Sequence, residues 1–301
     1  MLSSISRTGP FARYVGAAAT GLLLAATALA IGAAPRADAA PNVETYVALG
    51  DSYAAGSVVL PQTDLLTCAR SAVNYPALVA QELGAKTFRD VTCGSATTAD
   101  FTNLQPGNVL GTAAPQYDAL SADTTLVTVT IGGNDIGLAD AAYSCANPFP
   151  EPVGRSCADG FTAGGRDEFA DRIAAFTPTY GRVIDEIRSR APQAEVVLVG
   201  YPTGFRPGGC PDVQPVWRRD ADYIQRTLTA LNAVMSEQAS ANGATYVDVA
   251  TSSVGHDACA APGVRWLEGI VPSSTTSLAP IHPNAAGQAN MARQVLAALG
   301  R

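Results

Sequence analysis

Five short runs of β-branched and aliphatic residues punctuate the chain, and most of the apolar positions between them fall at helical spacing. The first run, Val43-Glu44-Thr45-Tyr46-Val47-Ala48-Leu49, alternates in part and stops at Gly50, which predicts a strand ending in a tight turn. Residues 87–91 predict a second strand. Residues 124–131 are almost wholly β-branched, the strongest strand signal in the chain, and run into Gly132-Gly133-Asn134-Asp135. Residues 195–199 and 245–249 predict the fourth and fifth strands.

Pro76 opens a predicted helix over 76–83 that Gly84 stops, an early proline and a late glycine. Phe169, Ile173, Phe176, Tyr180, Val183, Ile184 and Ile187 recur at helical spacing, with Pro178 inside the run predicting a kink or break. Trp217, Ala221, Ile224, Leu228, Leu231 and Met235 mark one face of a long helix. Met291, Val295 and Leu299 place a closing helix over about 285–299. Residues 58–73 and the proline- and glycine-rich 145–165 read as loops, and there is no internal repeat. Strands alternating with helices imply α/β architecture, a mostly parallel sheet covered on both faces. Right-handed crossovers make it a three-layer α/β/α sandwich, flavodoxin-like, of about five strands.

Residues 1–39 stand apart. Arg7 and Arg13 precede an alanine-rich apolar run, and Ala37-Asp38-Ala39 offers small residues for cleavage, the pattern of a secretory signal peptide rather than of a membrane anchor. The remaining chain, residues 40–301, suits one α/β domain with a full core. Cleavage removes three arginines and one aspartate, taking the formal charge from −7 to −9. So acidic a protein has no general electrostatic reason to bind nucleic acid or an anionic bilayer. A second apolar run of spanning length is absent, so no stable membrane insertion is expected of the mature, secreted protein, and a monomer is the expected state. Six cysteines, Cys68, Cys93, Cys145, Cys157, Cys210 and Cys259, lack zinc spacing. In an exported chain they read as disulfides, and sequence order suggests neighbour pairing: Cys68–Cys93, Cys145–Cys157 and Cys210–Cys259.

In a parallel sheet, ligands bind outside the carboxyl ends of the strands. Those ends carry Ser52 in Gly50-Asp51-Ser52-Tyr53, Gly94 after the second strand and Asn134 after the third; His282 enters the last helix. A hydroxyl, a backbone amide, a side-chain amide and an imidazole on one edge are the set that acyl transfer requires. Asp51 and Asp135 read as turn and capping groups. No G-x-S-x-G elbow occurs in the sequence.

Gly50-Asp51-Ser52-Tyr53, Gly94, Gly132-Gly133-Asn134-Asp135 and His282-Pro283-Asn284 resemble the four blocks of the SGNH (GDSL-type) hydrolases, in order and across the mature chain. The resemblance is closest to the secreted actinobacterial lipase and esterase branch, which typically has three disulfides. It implies Ser52 as nucleophile and His282 as base. The implied oxyanion hole is formed by the Ser52 and Gly94 N–H groups and the Asn134 amide. Many members carry an acid three residues before the histidine, where this chain has Ala279. The resemblance then implies a backbone carbonyl to orient the imidazole, with Ala279 O as first candidate. Asp257 is the rival, able to support His282 from another loop, and His256 beside it reads as structural or at the rim.

The leading reading is a secreted serine carboxylic-ester hydrolase acting on small-molecule or lipid acyl esters, with no cofactor or metal implied. Leu60, Leu65, Leu66, Phe101, Leu104, Val109, Ile136 and Leu138 near the predicted cleft edge favour acyl chains. A polysaccharide O-acetyl esterase, a phospholipase of the same fold and a non-catalytic exported binding module are the alternatives.

Overall fold

The computed structural model describes residues 43–301. The signal segment expected over residues 1–39, and the boundary after it, lie outside the described residues. Five parallel strands form the central sheet: β1 (Thr45–Gly50), β2 (Thr87–Asp90), β3 (Leu126–Thr130), β4 (Glu195–Val199) and β5 (Thr245–Val247). Their order is β2-β1-β3-β4-β5.

Alternation along the strands sorts side chains onto two faces. Val47, Leu49, Val127, Val129, Val196 and Leu198 enter one core; Tyr46, Ala48, Leu126, Val197 and Val199 enter the other. The second core is closed by α2 (Tyr75–Leu83) and α6 (Ala285–Ala298), through Tyr75, Val79, Met291 and Val295. The first is closed by α4 (Glu168–Arg190) and α5 (Arg218–Ala241). Two short helices complete the set used below: α1 (Ser52–Ala55) directly after β1, and α3 (Leu138–Ser144) beyond β3.

The expected kink or break at Pro178 does not divide α4, which runs on through the proline. An interior proline costs about 3 kcal/mol. Phe169 and Ile173 before it, and Tyr180, Val183, Ile184 and Ile187 after it, are all buried. Each such side chain contributes roughly 1.5–3 kcal/mol, so the apolar face outweighs the proline. The seven-residue α3 follows β3 where the pattern gave no helix; two turns are too short to display a period.

Disulfides join Cys68 to Cys93, Cys145 to Cys157 and Cys210 to Cys259. Of the residues expected at the cleft edge, Phe101 and Ile136 are instead buried in the core. Leu65 and Val109 line an open groove beside Ser52, and Leu138 lines a cavity on its other side.

Candidate active site

Ser52 is the first residue of α1, and the route to it is fixed by backbone. Gly50 has φ +143, and a Cβ there would lie 2.4 Å from Thr130 O, so only glycine fits. Asp51 then caps α1, accepting from Tyr53 N–H at 2.9 Å, while its own N–H donates to Thr130 O. The Ser52 N–H has no partner among the described residues. Its hydroxyl lies 2.7 Å from His282 Nε2.

His282 sits on a loop latched from two sides. Residues 265–269 run alongside it: Glu268 N–H donates to His282 O, Ile281 N–H to Gly269 O and Asn284 N–H to Trp266 O. Asn284, the N-cap of α6, also donates its side-chain amide to Glu268, whose buried carboxylate lies 3.9 Å from the buried Arg265 guanidinium. From the sheet side, Tyr53 OH donates to Ile281 O at 2.6 Å, and its ring lies 5.0 Å from the imidazole.

The acceptor at Nδ1 is Pro280 O, 2.7 Å away, and not the expected Ala279 O. Ile281 is the cause: its φ of +55 turns the chain back, bringing the carbonyl two residues upstream under the ring. A β-branched residue rarely adopts that conformation, and the surrounding latch holds it there. A carbonyl only accepts, so Nδ1 carries the proton and Nε2 is left to accept from Ser52. Burial pushes the imidazole pKa below its usual value, partly opposed by the Pro280 bond. Asp257 does not reach this site; it is buried and caps Cys259 N–H at 2.8 Å. His256 bonds Val264 O and stacks on Trp266 at 3.6 Å, the structural setting expected of it.

Gly94 is not free to act as the expected donor, because its N–H already donates to Cys68 O at 2.8 Å. The next amide, that of Ser95, has no partner among the described residues and belongs to the open groove with Ser52, Asn134 and His282. Ser95 has φ +65, the conformation glycine favours. Of the pair Gly94-Ser95, the serine therefore carries the unpartnered amide, the reverse of the order that residue type suggests.

Asn134 lies on the turn after β3, and its side-chain amide donates one hydrogen to Ala96 O at 2.9 Å, leaving the second available. Asp135 accepts from Thr98 N–H and Oγ1, so the loop just after Ser95 is tied to the Asn134 turn at two points, Ala96 and Thr98. Asp135 is thus a bridge between loops rather than a helix cap. Tyr201, just beyond β4, joins the same turn to the Ser52 turn by bonding both Gly133 N–H and Asp51.

Two spaces flank Ser52. One is a cavity of about 60 Å³ with a mainly apolar wall, including Leu138, Ala142, Phe205, Ile224, Leu228 and Leu267. The other is the open groove, about 550 Å³, with Ser57, Thr97, Asn108, Asp140 and Tyr143 in its wall. Among the described residues, no cluster of three or more His, Cys, Asp or Glu side chains is placed to hold a metal ion. Tyr53, Ser95, Tyr201, Glu268 and Pro280 were not singled out by sequence. Only Tyr53, next to Ser52, offered a positional signal.

A sequence model of the GDSL-like lipase/acylhydrolase family matches residues 48–289. The chain is 42% identical over 292 residues to lipase 2 of Streptomyces coelicolor, covering 94% of this chain and 95% of that one. It is 33% identical over 275 residues to a lipase of Streptomyces rimosus, with 90% and 93% covered. The crystal structure of the extracellular lipase of Streptomyces rimosus aligns with a TM-score of 0.68 at 30% identity, covering 85% of this chain and 99% of that one. Phospholipase A1 of Streptomyces albidoflavus aligns with a TM-score of 0.63 at 29% identity, with 85% and 99% covered.

Proposed function

The chain belongs to the GDSL-like lipase/acylhydrolase family and is a carboxylic-ester hydrolase, and we propose that it works through an acyl intermediate on Ser52, with His282 as its base. The observation that carries this is the 2.7 Å contact between Ser52 Oγ and His282 Nε2, at an imidazole whose other nitrogen is committed to Pro280 O.

Ser52 Oγ attacks the ester carbonyl as its proton passes to Nε2, and the imidazolium is supported by the dipole of the Pro280 carbonyl. The oxyanion takes the unpartnered N–H groups of Ser52 and Ser95 and the free amide hydrogen of Asn134. His282 returns the proton to the departing alcohol, and water, activated by the same imidazole, releases the acid. The apolar cavity takes the acyl chain and the polar groove takes the alcohol portion, each wall matching the solubility of what it holds. The cavity's small volume favours short to medium chains. Three disulfides suit an oxidising compartment, and the protein acts outside the cell.

A panel of p-nitrophenyl esters from acetate to palmitate tests the assignment. Ser52→Ala should abolish turnover with the fold intact, and a phosphonate probe should label Ser52 alone; full activity in that variant would remove Ser52 from the chemistry.

A further inference from the structure

Two peptide planes meet at Ile281, and its φ of +55 is the rotation between them that turns Pro280 O toward Nδ1 of His282. A peptide group is rigid, so holding both planes fixes the dihedrals that lie between them. The plane before Ile281 is held through its N–H, which donates to Gly269 O at 3.1 Å. The plane after it is held through its carbonyl, which accepts from Tyr53 OH at 2.6 Å. Ile281 O has no other partner among the described residues.

Tyr53 is itself anchored. Its N–H donates to Asp51 at 2.9 Å, and its carbonyl accepts from the buried Gln288 amide at 2.9 Å. Gln288 also accepts from Tyr75 N–H at 2.7 Å, which ties α1, α2 and α6 together. The Tyr53 ring meets the Tyr201 ring edge-on at 5.0 Å. Burial, with Asp51 close by, pushes the phenol pKa well above its usual value, so the hydroxyl stays protonated and holds Ile281 O as a donor.

Isoleucine resists the conformation that this grip imposes. The left-handed region is disfavoured for such a residue by an equilibrium factor of roughly 5–30. With the second plane free, Ile281 would relax and Pro280 O would swing off Nδ1. We propose that Tyr53 is a positioning residue: by gripping Ile281 O it keeps that isoleucine left-handed, and so keeps the acceptor of His282 in place. In the proposed mechanism, Ser52 then supplies the nucleophile while its neighbour sets the base. The proposal rests on the Ser52–His282 reading of the site.

Tyr53→Phe removes the hydroxyl and keeps the ring, so circular dichroism should be unaltered. On p-nitrophenyl butyrate, kcat should fall about tenfold with KM unchanged, because only molecules with an aligned imidazole turn over. The Pro280 bond raises the imidazole pKa, so its loss should move the acid limb of kcat/KM to lower pH. General loosening would lower the rate without moving that limb. Ile281→Gly supplies the decisive comparison. Glycine adopts positive φ freely, so in that background Tyr53→Phe should cost no more than about threefold. Ile281→Asn, which also tolerates the left-handed region, replaces the glycine variant if that one does not fold. An equal loss in both backgrounds would overturn the proposal, as would an unchanged kcat or an unmoved acid limb in Tyr53→Phe.

Proton NMR reads the same tie without turnover. The His282 Nδ1 proton should resonate far downfield, identified by its absence in His282→Gln. Tyr53→Phe should broaden that resonance, and adding Ile281→Gly should sharpen it again. A resonance untouched by Tyr53→Phe would count against the grip. If Ser52→Ala kept full turnover, the catalytic reading would fall, while the resonance would still decide the role of Tyr53.

Discussion

Tyr201 OH donates to the Asp51 carboxylate at 2.5 Å while accepting from Gly133 N–H at 2.9 Å. One hydroxyl therefore joins the turn that presents Ser52 to the turn that presents Asn134. Burial pushes Asp51 up to about 7, against the pull of the Tyr201 and backbone bonds. A carboxyl raised in the folded state stabilises the fold fully below its unfolded value of about 3.9. That contribution is lost as pH rises through 7.

Tyr201→Phe leaves Gly133 N–H and one Asp51 oxygen without their buried partner. Stability should fall by about 1–3 kcal/mol in urea denaturation. The Asn134 turn loses its tie to Ser52, so kcat should drop with KM little changed. A variant with unaltered kcat would show that the two turns hold their spacing unaided.

Replacement of Asn134 by Ala should lower kcat by about 10²–10³ with little effect on KM, as expected for a donor that acts on developing charge. A rise in KM alone would assign the amide to substrate binding.

The Gly94-Ser95 pair makes opposite predictions for its two members. Gly94→Ala brings a Cβ within 2.6 Å of Asn108 Nδ2 and 3.1 Å of Cys68 O, so it should destabilise the loop and depress kcat. Ser95→Gly relieves a left-handed strain of roughly 1–2 kcal/mol against a glycine entropy cost of about 0.5–1 kcal/mol. It should retain activity and differ little in thermal midpoint. Loss of activity in Ser95→Gly would assign the hydroxyl, not the amide, to the reaction.

With burial holding the His282 pKa down, the free base persists to lower pH, so the acid limb of kcat/KM should lie below about 6.5. Pro280 O has no ionisation of its own, and activity should stay high into the alkaline range. Asp257→Asn should cost less than tenfold, where a triad carboxylate can be worth about 10⁴ in kcat. A folded Asp257→Asn protein with a large loss would overturn the carbonyl-supported dyad.

Much of this arrangement was legible because it rests on local pattern. Residues 124–131 announce a buried strand by β-branching alone, and the glycines after β1 and β3 mark where Ser52 and Asn134 leave the sheet. What escaped depends on dihedrals and long-range pairing. Nothing in Ala279-Pro280-Ile281-His282 says that an isoleucine will sit at positive φ, and that angle selects Pro280 O over Ala279 O. Gly94-Ser95 misleads because glycine is the residue expected at a left-handed amide, yet the serine occupies it. Tyr201 and Glu268 act through partners 150 and 16 residues away in sequence, beyond any local pattern.

Two residues of the apolar cavity, Ile224 and Leu228, stand four apart on α5, about 6 Å along the axis and roughly the reach of several methylenes. The opposing wall includes Leu138 and Ala142, four apart on α3. In the acyl assignment proposed for this cavity, helical pitch is the graduation against which a fatty chain is measured. Selectivity would then change in whole-turn increments: a bulkier residue at Ala142 would shorten the accepted chain, and a smaller one at Leu228 would lengthen it. The scale is rigid because the helix bearing it is anchored in the core by Leu231 and Met235.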